Sequence, residues 1–336
     1  MHLERALAIA TAGRGSTVQH VATLVELGTL ERERGRHAAA RERYGEAQAL
    51  LASGPGLDHP FAAGLFDQLG TLAYLEGRYE EALEHHGRSQ ALLGRAYGAE
   101  NTKSATVLCN MSVDASALGR EDEAIAYAQK ALVIIEAALG PDHELASLPH
   151  NMLTNIHLDH GNYTEGIVHA QRVVDLSMRY LGDAHIDTGG AYVNLCAVQL
   201  ALHRAEAARE SCERGVEIVE RAAGRGHPAL AIAKGGLGRT LLELGDVTGA
   251  RTQLEDAVRI AEATEAGPAE LALARFDLAR ALWADPPEHA RARAVAEQAQ
   301  KDGDAIDGAY GESVRREIGD LLAQHRGTRR SAGHSR

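Results

Sequence analysis

The chain is poor in almost everything that would support chemistry or a membrane. Aromatic residues are only 4% of 336, with a single tryptophan, so its core must be built from small aliphatic side chains. Its three cysteines, Cys109, Cys196 and Cys212, have neither an even count nor a metal-ligand spacing. They read as reduced thiols on helix faces in a cytoplasmic protein. No apolar run approaches the ~18 residues of a membrane helix. The start, Met1 to Leu7, lacks the apolar stretch of a signal peptide. Positive charge is scarce as well. A net charge of −12 disfavours a nucleic-acid backbone as partner. The one basic block lies in the Gly/Ser-containing tail, 326–336, which reads as disordered.

Catalytic signatures are equally thin. Asp187-Thr188-Gly189 has the letters of an aspartic-protease loop but opens a helix. Lys234 to Thr240 is glycine-rich but lacks the Gly-Lys-Ser/Thr order of a phosphate loop, and by register it lies mid-helix. His150, His157, His160 and His169 do not converge as the three or four ligands a metal needs. The reading is no catalytic residue, no cofactor and no metal.

Periodicity is what the chain has. His59, His143, His185 and His227 are spaced by 42 or 84, and Asn101 fills the missing position. Gly35, Gly77, Gly119, Gly161 and Gly245 keep the same step, with His203 in the gap. Gly56, Gly98, Gly140, Gly182 and Gly224 form a third, unbroken series. A fixed period of this length is the signature of a solenoid. One unit, residues 60–101, shows how it is built. Pro60 suits a helix start, and Leu65, Leu69, Leu72 and Leu75 recur at helical spacing. Gly77-Arg78 stops that helix, and a second runs from Tyr79 to about Tyr97. The recurring histidines read as residues that hydrogen-bond the start of the next helix. Gly238, like Gly70, is read as a small residue for close helix packing.

These residues resemble the tetratricopeptide repeat in its long, kinesin-light-chain-like form. The match is carried by Leu69-Gly70, Gly77-Arg78-Tyr79, Ala82 and Leu139-Gly140-Pro141-Asp142-His143. The resemblance implies an all-α, right-handed superhelical solenoid of about seven helix-turn-helix repeats. The array spans 18–305, followed by a capping helix at 306–325. Residues 1–17 read as a partial leading repeat helix, as though the chain continued a longer array. The segment Phe276 to Trp283 followed by Ala290 to Ala294 resembles the C-terminal repeat region of bacterial serine/threonine protein kinases. The chain has no glycine-rich ATP loop, His-Arg-Asp or Asp-Phe-Gly of its own.

In this family the first helix of each unit lines a concave groove. Carried onto this chain, that implies Asp67, Thr71 and Tyr74, then Thr106, Cys109 and Val113. Asn151, Asn155 and Asp159 follow, then Val193 and Ala197, then Arg239 and Glu243. Asn151 and Asn155 are four apart and share a face, where two amides can pair with an extended peptide backbone. Arg239 can meet an acidic ligand group, and Tyr74 supplies an apolar wall with a polar tip. The peptide-binding candidates are therefore Asn151, Asn155, Arg239, Tyr74 and Asp67. Asn110 and Asn194, at the next offset, are expected to bond between helices. The expected function is a non-catalytic protein-interaction scaffold for a peptide or protein segment. The alternatives are a regulatory or docking region of a signalling kinase and a peptide-sensing regulator.

Overall fold

The computed structural model describes residues 16–98, 100–285, 288–306 and 308–325, with the side chains of 308–310 left aside. The expected leading helix at 1–17 and basic tail at 326–336 lie almost wholly outside these residues. Among the described residues the regular structure is helical. In chain order the helices are α1 (Thr17–Glu33), α2 (His37–Ser53), α3 (Ala62–Leu75), α4 (Tyr79–Tyr97), α5 (Thr102–Ala117) and α6 (Glu121–Leu139). A short 3-10 turn, Glu144–Ala146, leads into α7 (Ser147–Asp159). Then come α8 (Tyr163–Tyr180), α9 (Ile186–Ala201), α10 (Ala205–Ala223), α11 (Pro228–Glu243) and α12 (Val247–Ala263). The last are α13 (Pro268–Trp283), α14 (His289–Asp304) and α15 (Gly308–Gln324). The chain divides into two compact units, Met1–Ile156 and His157–Arg336.

In the first unit α1–α2, α3–α4 and α5–α6 are antiparallel hairpins, and α2 and α4 also pack on the next first helices, α3 and α5. In the second unit α9–α10, α11–α12 and α13–α14 repeat the arrangement, and α15 closes on α14 and α13.

The hairpin turns after α1, α3, α5, α9 and α11 are made the same way. After α1, α3 and α5, the amides of Arg36, Arg78 and Arg120 bond the carbonyls of Glu31, Ala73 and Ala115, each at 2.9 Å. This six-to-one bond needs a left-handed residue just before it, and Gly35, Gly77 and Gly119 supply φ of 73°, 73° and 70°. After α9 the place falls to His203, which adopts φ 57° although it carries a Cβ. The turn survives the substitution at a cost in backbone strain.

The hairpins close on a size-matched seam. The backbone of Gly28 lies against the Tyr44 ring, Gly70 against His86, and Gly238 against Leu254, so a Cβ at any of the three would collide. The same register holds Ser112 and Cys196 on the first helix, and Ala128 and Cys212 on the second; all four are buried. Where the first helix gives up its side chain, the second helix fills the space.

Candidate functional site

The connections between hairpins are structural, as the histidine spacing predicts. Nδ1 of His59, His143, His185 and His227 accepts the amide N–H two residues on, at 3.3, 3.2, 3.2 and 3.2 Å. Asn101 does the same work with its amide oxygen, accepting from the Ser104 N–H at 3.0 Å. An acceptor at this place satisfies one of the free N–H groups of a helix start.

The first helices carry the candidate surface. In the first unit Asp67, Thr71 and Tyr74 follow one another along α3, all half-buried. Asp67 Oδ1 accepts Asn110 Nδ2 from α5 at 3.1 Å, so Asn110 bonds between helices as expected. Gln68 Nε2 lies 3.4 Å from Asp67 Oδ2. The Tyr74 ring is tilted against Tyr79, their centroids 5.3 Å apart. Burial, with smaller effects from Tyr79 and Asp114, holds the Tyr74 hydroxyl above the usual phenol range. On α7, Asn151 is half-buried and Asn155 exposed. Leu148, three residues before Asn151 and therefore on its face, is also exposed.

In the second unit Arg239 is not a free cation. Its Nε lies 3.3 Å from Oδ2 of Asp277 on α13, and its side chain is 39% exposed. Arg280 Nη1 approaches the same carboxylate at 3.4 Å. Burial nevertheless raises the Asp277 carboxyl above the ordinary carboxylate range, the two arginines opposing it. An acidic ligand at Arg239 must compete with Asp277. Ile232, seven residues before Arg239 on α11, is exposed.

Two cysteine expectations are corrected. Cys109, placed in the groove by register, is buried at 2% exposure, and desolvation pushes its thiol up to about 12. Its side chain turns into the packing between helices and offers a ligand nothing. Cys196 and Cys212 are not separate reduced thiols but a disulfide, joining α9 to α10 with Cα atoms 5.3 Å apart. The Thr240 hydroxyl sits 3.6 and 3.9 Å from the two sulfurs. The pair falls on the size-matched seam, where two medium side chains face each other. Counting cysteines concealed it; laying them on the repeat register brings them together.

Sequence reasoning also passed over a polar knot beside Asp67. His86, on α4, has Nδ1 2.5 Å from Asp114 Oδ2 on α5, and both side chains are buried. Its Nε2 is 3.9 Å from Asp67 Oδ1. The signal was in the register. Position 86 corresponds to Tyr44, Ala128, Ala170, Cys212 and Leu254, and position 114 to Leu30, Leu72, Ile156, Val198 and Leu282. Two core columns turn polar together at this one junction, with Thr240 the other polar member of the second column.

Among the described residues no group of three or more His, Cys, Asp or Glu side chains is placed to hold a metal. No described helix is long and apolar enough to cross a membrane.

Stacked helical hairpins on a 42-residue step, with left-handed turns in fixed register, define a helical-repeat protein of the solenoid class. The chain belongs to the tetratricopeptide repeat family: the family's model matches residues 61–134, 104–176 and 187–263. Solved structures agree on the fold. BtubC (BKLC) from P. vanneervenii is 21% identical with TM-score 0.57, over 68% of this chain and 94% of that one. A putative kinesin light chain repeat protein from Podosopora anserina is 19% identical with TM-score 0.55, over 62% and 98%. A Rap protein complexed with competence and sporulation factor is 12% identical with TM-score 0.58, over 92% and 87%. No curated protein sequence matches the chain.

Proposed function

We propose that the chain is a protein-interaction scaffold that holds an extended peptide or protein segment along its first helices and performs no catalysis itself. The observation that carries this is the α7 face, where exposed Leu148 and Asn155 flank half-buried Asn151 within two turns. An apolar contact beside two amides suits a peptide, whose backbone presents donors and acceptors and whose side chains need a dry surface. Asp67 and Tyr74 extend the same kind of surface on α3. Family membership supports the reading, since repeats of this kind generally mediate protein–protein interaction.

The experiment is a pull-down from native lysate with the intact chain beside Asn151→Ala/Asn155→Ala and Arg239→Ala variants. A partner lost from the variants places function on the first helices. A partner retained by all of them moves it to the second helices and sinks the groove reading. A second reading, a peptide-sensing regulator, is favoured by the likeness to a Rap protein complexed with competence and sporulation factor. A third, a docking region of a bacterial serine/threonine kinase, rests on the Phe276–Trp283 segment. A kinase domain in the same reading frame would support it.

A further inference from the structure

The knot around His86 allows a more specific statement, which rests on the groove reading above. His86 is 2% exposed, and the 2.5 Å contact of Nδ1 with Asp114 requires a proton between them. Its Nε2 is buried, has no hydrogen-bond partner, and faces Asp67 Oδ1 across 3.9 Å. A neutral ring that donates through Nδ1 turns a lone pair toward a carboxylate. Two acceptors then face one another, and a donor or positive charge is wanted at that corner. Asp67 is within reach of solvent, its side chain 22% exposed. Asn110 and Gln68 hold its carboxylate in place, at 3.1 and 3.4 Å. Thr71 and Tyr74, four and seven residues on, continue the same face.

We propose that Asp67 receives one cationic side chain, a lysine or arginine of a peptide lying along α3 and α5, with His86 and Asp114 as positioning residues behind it. A carboxylate accepts only, so Asp67 presents acceptors to whatever enters that corner. Tyr74 offers an aromatic face along which the same cation can lie. The register supplies the independent argument. A buried polar pair can often be replaced by well-packed apolar residues without loss of stability. The neighbouring junction, with Tyr44 and Leu72 in the two columns, is such a replacement. The polar pair therefore serves specificity rather than stability.

The test is a random peptide-display library panned on the full chain, followed by fluorescence anisotropy of a labelled selected peptide. Selected peptides are expected to share one fixed Lys/Arg position, and Asp67→Asn should weaken them about tenfold or more. His86→Tyr/Asp114→Leu, which copies the neighbouring junction, should fold with an undiminished melting midpoint and bind the selected peptides with no preference for Lys/Arg over glutamine at the fixed position. Peptides that share no basic position, or that bind Asp67→Asn as well as wild type, overturn the cationic recess. If Asn155→Ala still weakens them, the groove reading survives. Failure to select any peptide, or peptides indifferent to every first-helix substitution, removes both.

Discussion

Single residues carry this fold through two kinds of constraint, backbone conformation and side-chain size. His203 stands at φ 57° where the equivalent turns have glycine. His203→Gly should therefore stabilise the chain by about 1 kcal/mol, read from urea unfolding, because glycine adopts the left-handed region without the Cβ clash. Gly70 and Gly238 are constrained oppositely, since their backbones touch His86 and Leu254. Gly70→Ala and Gly238→Ala should each destabilise by about 1–3 kcal/mol, although alanine is the better helix former. A gain in stability at either site would show that the seam is looser than its geometry implies. Asp277 is a third case. Burial raises its folded-state pKa, so the folded chain holds that proton more tightly than the unfolded chain. Its contribution to stability is full below the ordinary carboxylate range and lost as pH rises through the raised value. Asp277→Asn should accordingly gain on wild type between acid and neutral pH. A variant that instead loses ground toward neutrality would show that the Arg239 and Arg280 pairs outweigh burial.

At the scale of helices, the structure is held by caps and by one covalent link. Four connections use imidazole Nδ1 as the acceptor and one uses Asn101. Replacing His59, His143, His185 and His227 together by alanine removes these acceptors and should lower the melting temperature, whereas asparagine at the same four positions, as at Asn101, should keep it. His85 and His169 tie stability to pH. Burial lowers both pKa values, so the stability they support is lost as pH falls through the ordinary histidine value of 6.5. The α9–α10 hairpin is closed by Cys196–Cys212 across a separation of 16 residues. By loop-closure entropy, reduction should cost about 3 kcal/mol. Thiol labelling in denaturant without reductant should find Cys109 alone. Three labelled thiols would show that the pair is open.

For the molecule as a whole, the balance of charge and the repeat decide what it can meet. A net charge of −12 disfavours a nucleic-acid backbone as partner, and the expected outcome is that a duplex DNA probe shows no anisotropy change at physiological salt. Much of the architecture is written locally. Glycines at fixed steps state where helices stop, and helix bounds such as Tyr79–Tyr97 and Thr102–Ala117 follow from nearby side chains alone. The histidine caps are legible for the same reason: donor and acceptor are two residues apart. Asn151 and Asn155 could be placed on one face by counting, since their relation stays within a single helix. Contacts between helices are another matter. The Arg239–Asp277 pair, the burial of Cys109 and the meeting of Asp67, His86 and Asp114 each depend on how neighbouring helices rotate and approach. Helical period says which residues share a face, not which neighbouring face comes within 4 Å. That is set by packing, where Gly70, having no side chain, leaves room for the His86 ring to lie 3.9 Å from the Asp67 carboxylate.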